Sequence, residues 1–502
     1  MDRRGSENDA ENNAIVVVMG DIGRSPRMCY HALSLANHGY NVELVGYAGT
    51  KPHIQILSHP RIRLVRMQAP PDAISEYFPR LLSLIIKFGW MFLSVLFTMF
   101  FCTQSMAKLI LMQNPPGIPT MCVCWIAAKW KCASWIIDWH NYTFTVLGHA
   151  NQIGTNRGGR TINGQVRLAS TWEGYWGQKA YWNLCVSKAM QRDLRQRWGI
   201  KALTVYDKAP AWIFRPLSIE EQHNFLAKLM KTSDFSNIAA LKHWQTGSGV
   251  EDGGEDVSLF SHKTPTGEVQ LLNSRPLLVV SSTSWTTDED FGILLDALRD
   301  YEKQAQSVIN QSADETDALP KLLVVITGKG PQKEFYLGQI AKMRMQYVHV
   351  VTAWLAAEDY PKILACANLG VSLHTSTSGL DLPMKVVDMF GCHLPVLAKK
   401  FEAINELVVD GTTGKLFDNS QELKQDLIEL AAGFPKNSHN LHKLKKNLSA
   451  QPQATWDEQW DAACWPLICS LSQTQPHHEM SRWQRFQNVE PPNHDDQNLH
   501  ED

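Results

Sequence analysis

Apolar residues fall along this chain in two rhythms. Short, almost continuous runs such as AIVVVM (14–19) and LILMQ (109–113) have the length and composition of strands buried on both faces, as a parallel sheet requires. Between such runs, apolar positions recur every three or four residues, the spacing of helices that lay one face on a core. The alternation predicts strands at 14–19, 41–47, 109–113, 134–138, 183–186 and 203–206, with helices at 25–38, 119–131, 166–180 and 188–198. A second series follows, with strands at 277–282, 321–327, 348–351, 369–373 and 395–398. Its helices are expected at 288–303, 331–344, 357–366, 383–391, 402–409 and 420–432. Each series is a βα alternation, so the predicted fold is α/β, with two doubly wound Rossmann-like domains.

The rhythm fails in four places. Residues 1–13 form a polar tail. The stretch 246–268 is rich in Gly, Ser and acids and reads as a loop or disordered insert, and 304–320 reads as a second polar loop. The tail 473–502 has no apolar face and is expected not to fold. The domains are therefore drawn at 14–215 and 276–450, joined by a connector at 216–275 and followed by a helical segment at 451–472. In that segment Trp456, Trp460 and Ala463 share one helical face, suited to docking on the body.

One stretch is apolar in a different degree. LLSLIIKFGWMFLSVLFTMFF (81–101) has 21 residues and one charge, Lys87, long enough to span a bilayer. Strands 14–19 and 109–113 flank it. If they share a sheet, a single crossing would put them on opposite sides of a membrane. The stretch is therefore expected to lie in a membrane interface near Trp90, the alternative being a core helix. The polar start is not that of a signal peptide.

Composition adds little beyond this. A net charge of −2 gives no case for nucleic-acid binding. The ten cysteines form no CxxC pair and no zinc-spaced array, and fit a reducing compartment. No bound cofactor is expected and a divalent cation is not indicated. The 17 tryptophans suit a core, a large apolar ligand or a membrane surface.

In open parallel sheets, ligands bind beyond the carboxyl ends of the strands. GDIGRSPRM (20–28) follows the first strand, with Gly20 and Gly23 allowing tight turns and a helix N-terminus suited to an anion. Arg24 pairs with a diphosphate or is a surface arginine. In IIDWHNY (136–142), Asp138 and His140 share a strand face. The pair is a general base with its orienting carboxylate, or a structural hydrogen bond. Glu173 is a lone acid among aromatics. After the second domain's strands come SSTSWTTDED (281–290), where Ser282 and Thr283 offer hydroxyls, and ITGKGP (326–331), where Gly328 and Gly330 flank Lys329. Asp288, Glu289 and Asp290 resemble a metal-binding triplet, but acids in a first helical turn are explained by the helix dipole. SGLDLPMKVVDMFG (378–391) sets Lys385 and Asp388 on one helical face behind Ser378 and Gly379. There a carboxylate suits a ribose and a lysine a diphosphate; the alternative is a surface ion pair.

These runs, with LMQNPPGIPT, NLCVSKAM, TVYDKAP and WDEQW in the same order, closely resemble the chitobiosyldiphosphodolichol β-mannosyltransferase family from about residue 14 to 470. The resemblance implies a GT-B fold, the final helix crossing back, GDP-mannose as donor and dolichol-linked GlcNAc2-diphosphate as acceptor. It implies an inverting reaction on the cytosolic face of the endoplasmic reticulum membrane, with other glycosyltransferases of the pathway as expected partners. It places His140 by the donor sugar, as ligand or base, with Asp21 and Glu173 as the other base candidates. Members often carry an N-terminal hydrophobic anchor that this sequence does not show, which shifts membrane attachment to 81–101 or to partner proteins. Related enzymes also carry two glutamates where this chain has Leu380 and Asp388. Asp388 retains the ribose role; Leu380 stands at the other donor-side position, and Asp381, one residue off it, is not given the sugar-contact role. A transferase using a UDP-sugar and an inactive scaffold subunit are the rival expectations.

Overall fold

The computed structural model describes residues 12–71, 73–154, 159–236, 244, 257–286, 289–311, 319–450 and 454–472. Residues 246–256, the tail 473–502 and Asp288 lie outside them.

The first half is a seven-stranded parallel sheet in the order β3-β2-β1-β4-β5-β6-β7. Its centre is β1 (Asn13–Asp21), flanked by β2 (Asn41–Tyr47) and β4 (Leu109–Asn114). Outward lie β3 (Ile62–Met67) on one side and β5 (Ser134–Trp139), β6 (Trp182–Cys185) and β7 (Leu203–Thr204) on the other. The second half is a six-stranded sheet in the order β12-β11-β10-β13-β14-β15. There β10 (Leu277–Ser282) and β11 (Leu322–Thr327) are buried at every position, the signature of strands covered on both faces. They stand between β12 (Val348–Ala353) and β13 (Leu369–Ser372), with β14 (Val396–Lys399) and β15 (Gly414–Phe417) beyond. In each sheet the order reverses beside the central strand, at β1/β4 and β10/β13. That reversal opens the crevice in which such folds bind ligands.

Several elements differ from expectation. β3 was not foreseen, because its alternation Ile-Arg-Leu-Val-Arg-Met belongs to an edge strand with one face open to solvent. The predicted loop at 304–320 begins late: the helix Phe291–Gln311 carries its apolar stripe on through Leu298, Tyr301 and Ala305, all buried. Of the insert 246–268, residues 257–268 are described, and they are not loop throughout. β8 (Ser261–Lys263) pairs antiparallel with β9 (Val269–Leu271), and Leu259 and Phe260 are buried beside them. The helix expected at 402–409 is only a 3-10 turn, Ile404–Glu406.

Six helices support the cleft or the surface around it: α1 (Pro26–Asn37), α2 (Arg80–Phe97), α3 (Thr143–Gly154), α4 (Lys188–Trp198), α5 (Met384–Gly391) and α6 (Trp456–Ala463). α2 sits between β3 and β4, strands of one parallel sheet, so the chain leaves and rejoins that sheet on the same side. Val95 and Met99 of this stretch are buried, whereas Leu82, Ile85, Phe88, Leu93, Phe97 and Phe101 are exposed. α6 returns from the second half to the first. Trp456 donates to Ser34 Oγ and Trp460 to His31 Nδ1, each at 2.9 Å, among core residues of β1, β2 and α1. A capping box between Thr455 and Glu458 starts this helix.

Candidate active site

The carboxyl ends of the two sheets face each other. On the first sheet, β1 ends in the turn that holds Gly20, Asp21, Gly23 and Arg24. A Cβ at Gly23 would lie 2.3 Å from the Thr50 carbonyl oxygen, so only glycine allows the two loops to touch. Asp21 accepts hydrogen bonds from the backbone N–H of Thr50 at 2.8 Å and of Gly23 at 3.1 Å. Burial acts to raise its pKa, but these donors outweigh it and hold the carboxyl below its ordinary range. The sequence reading made Asp21 a base candidate; the structure gives it to the loop. Arg24 is exposed, 3.6 Å from Asp21.

Asp138 and His140 meet as expected from their shared face: His140 Nε2 lies 2.7 Å from Asp138 Oδ2. The surroundings were not expected. Arg27, on α1, grips Asp138 with two bonds of 2.7 and 2.9 Å and reaches Asp207 at 2.9 Å. His31, one turn further along α1, places Nε2 3.3 Å from the same Asp138 oxygen. All four groups are buried, while His140 is partly exposed. Burial alone would raise the pKa of Asp138, but Arg27 and then His140 hold it well below the carboxylate range. A carboxylate accepts only, so the proton between the pair sits on His140 Nε2 and leaves Nδ1 as the basic atom.

Glu173 lies inside the first half, where burial raises its pKa against the donors that lower it. It is fully buried and accepts from Asn114 Nδ2 at 2.7 Å and from the backbone N–H groups of Thr143 and Phe144 at 2.7 and 3.2 Å. Thr143 opens α3, so this carboxylate caps that helix.

On the second sheet the loops after β10 and β11 are pressed together. A Cβ at Gly328 would sit 1.8 Å from the Thr283 carbonyl oxygen and one at Gly330 1.7 Å from that of Ser284. These glycines serve loop-on-loop packing. Lys329 lies over the ring of Trp354, 4.1 Å from its centre. Ser282 Oγ donates to Tyr360 Oη at 3.2 Å. Thr283 is spoken for, since its hydroxyl donates to Glu289. Glu289 also accepts from the Ser284 N–H at 2.9 Å and pairs with Lys385. The helix-dipole reading of Glu289 is thereby corrected: the helix begins at Phe291, and the Glu289 carboxylate turns back to hold Lys385.

Asp388 lies 3.5 Å from Tyr360 Oη. Loss of surrounding water pushes its carboxyl up to about 8, and the negative charge of Asp207 across the cleft adds to the effect. In the turn before α5, Gly379 takes φ +74°, which favours glycine. Ser378 donates to Asp381 at 3.3 Å. Leu380 departs from a donor-facing role: its side chain is buried in the first half's core, and its carbonyl accepts from Ser187.

The halves also touch by polar contacts. Asn141 donates to Thr377 and Asp381, both at 3.1 Å. Glu406 accepts from the N–H groups of Lys188 and Ala189, both at 2.7 Å, and from Tyr206 Oη at 2.9 Å, so a carboxylate of the second half caps α4 of the first. Arg27, His31, Tyr360 and Glu406 were missed by sequence reasoning, and Glu289 was noticed only as part of an acidic triplet. Of the missed residues only Arg27 and His31 left a signal, being four apart on one helix face. Among the described residues no cluster of His, Cys, Asp and Glu is arranged to hold a metal.

Two facing Rossmann-like halves, a cleft at their switch points and a last helix crossing back define the GT-B class of glycosyltransferase. Residues 293–432 match the family model "Glycosyl transferases group 1". Among solved structures, sucrose-phosphate synthase of Thermosynechococcus elongatus is similar with a TM-score of 0.57 at 15% identity, over 92% of this chain and 98% of that one. Anabaena HepE, solved with UDP and glucose, gives 0.54 at 14% identity, over 92% and 100%.

The relatives narrow this further. The mouse chitobiosyldiphosphodolichol β-mannosyltransferase is 40% identical over 95% of this chain and 93% of its own length. The Dictyostelium discoideum enzyme of that name is 38% identical over 89% and 92%. A relative named UDP-glycosyltransferase TURAN, from Arabidopsis thaliana, is 42% identical over 91% and 97%. The chain belongs to the chitobiosyldiphosphodolichol β-mannosyltransferase family.

Proposed function

We propose that this protein transfers mannose from GDP-mannose to dolichol-linked GlcNAc2-diphosphate with inversion, forming a β-1,4 linkage. Its likeness to the mannosyltransferases along nearly the whole length of both chains carries this reading. His140 is the base best served by its surroundings, because Asp21 and Glu173 are consumed by backbone donors and, among the described residues, His140 pairs a partly exposed ring with a buried carboxylate. In the reaction, the acceptor hydroxyl gives its proton to His140 Nδ1 as its oxygen bonds to the mannose anomeric carbon. The bond from that carbon to the β-phosphate oxygen breaks, and GDP leaves with the electron pair. Lys385 meets the leaving diphosphate and Asp388 the ribose.

The site of action is the cytosolic face of the endoplasmic reticulum. The exposed side of α2 supports membrane contact, and the return of the chain to the same sheet supports an interfacial, non-spanning placement.

The test is transfer of labelled mannose from GDP-mannose to phytanyl-linked GlcNAc2-diphosphate. A β-linked trisaccharide is expected, and His140→Asn is expected to lower kcat by about 10²–10⁴. Because the name of one relative points to UDP, UDP-sugars are the necessary control; transfer from a UDP-sugar alone overturns the donor.

A further inference from the structure

The Asp138 cluster receives one more side chain than a base-and-carboxylate pair needs, and it comes from the other end of the chain. Trp460, on the crossing helix, is 1% exposed and donates through Nε1 to His31 Nδ1 at 2.9 Å. An indole N–H only donates. His31 Nδ1 must therefore carry a lone pair, and the single proton of a neutral ring sits on Nε2, which faces Asp138 Oδ2 at 3.3 Å. A second proton on Nδ1 would set two N–H groups against each other. The same helix seals the cluster from behind: Trp456 meets the His31 ring edge-on at 5.1 Å, and the Arg27 guanidinium lies 5.7 Å from its centre.

The charges of the cluster do not cancel. Arg27 is positive, Asp138 and Asp207 are negative, and His31 is neutral, so the buried group carries one surplus negative charge with His140 at its edge. That surplus is what an imidazolium forming on His140 would neutralise. Were His31 to take a proton, the surplus would vanish and the imidazolium would face a neutral cluster. The other titratable groups against the cluster are the Cys185 and Cys464 thiols, both raised by burial and so uncharged, Tyr30, likewise raised, and Asp388, which faces Asp207 and is pushed up to about 8 by burial, so it is protonated below that pH. None replaces the missing charge.

We infer that Trp460 is a positioning residue for the transfer reaction: by occupying His31 Nδ1 it keeps His31 neutral and reserves the negative charge of Asp138 and Asp207 for His140. This rests on the reading of His140 as the base. It makes the crossing helix a participant in the electrostatics of the site and not only a strap. Burial also lowers the pKa of His31, which acts in the same direction.

The experiment has two arms. In the first, 15N-detected histidine spectra of the full chain, with no sugar present, follow His31 from pH 5 to 8. The wild type is expected to show a neutral Nε2–H tautomer throughout, and Trp460→Phe a ring that titrates. A His31 that titrates in the wild type, or that holds its proton on Nδ1, overturns the inference. The second arm is the pH dependence of kcat. In Trp460→Phe the acid limb is expected to steepen from one proton to two, with kcat at pH 6 down about tenfold and KM for the donor within about twofold. The double variant His31→Gln/Trp460→Phe removes the titrating ring and should return the one-proton limb. An acid limb unchanged in Trp460→Phe overturns the inference. If the wild type transfers no mannose at all, the proposed function fails, while the spectra still decide the state of His31.

Discussion

Asp388 shows how one carboxyl ties stability to recognition. Its folded pKa, about 8, lies above that of an unfolded aspartate, so the folded protein holds an extra proton between the ordinary carboxylate range and about pH 8. Stability attached to this group is present at low pH and falls as pH rises through that window. Asp388→Asn removes the dependence. Its Tm is expected to exceed that of the wild type clearly at pH 8.5 and to converge on it as pH falls toward 4, by calorimetry across that range. At pH 8.5, where the carboxyl is ionised, the same change should raise KM for the donor about tenfold, because a charge-assisted bond to a ribose hydroxyl becomes a neutral one. Residues of this kind were partly legible. Asp138 and His140 were named from a two-residue spacing, and Asp388 from a helical face. Their partners were not: 111 residues separate Arg27 from Asp138 and 96 separate Glu289 from Lys385. No local pattern reports a meeting made by topology. The backbone partners of Asp21 and Glu173 were illegible for a related reason. An acid near a strand end or among aromatics looks available until the backbone N–H groups that claim it are seen.

At the scale of elements, periodicity did most where an element is long and buried on both faces. β10 and β11 were read almost to the residue, whereas β3, with a polar alternate face, and β15, with four residues, were missed. Such short strands draw their stability from neighbours and not from their own pattern. α2 is the element on which a prediction falls. Replacing Leu93, Phe97 and Phe101, all exposed, by serine removes apolar surface without opening the core. The variant is expected to keep its Tm within about 2 °C of the wild type, since exposed substitutions shift stability little. It should also lose most of its flotation with vesicles of phosphatidylcholine and phosphatidylserine. Full flotation by the triple variant would assign membrane contact to another surface.

At the scale of the whole molecule, two of the contacts that join the halves are opposite in kind. The crossing helix is an apolar union, with Trp456 and Trp460 buried in the first half's core. Glu406 is a polar one, a single carboxylate against the open end of α4 and the hydroxyl of Tyr206. The first resists separation at any ionic strength. The second weakens with a lost charge, so Glu406→Gln is expected to loosen the halves and leave each one folded. Small-angle scattering should show a larger radius of gyration for that variant, with far-UV circular dichroism unchanged; an unaltered radius would assign closure to the apolar contacts alone.

That carboxylate also sets a clock. Bonds from charged groups contribute about 1.5–3 kcal/mol each, and a difference of about 1.4 kcal/mol is a tenfold ratio of populations. Were release of Glu406 required before the cleft widens, the molecule would spend most of its time shut, and product would leave only during the intervals when α4 is uncapped. Turnover would then be paced by the lifetime of a helix cap some distance from the sugar, and a faster catalyst would be one whose second half lets go of the first more often.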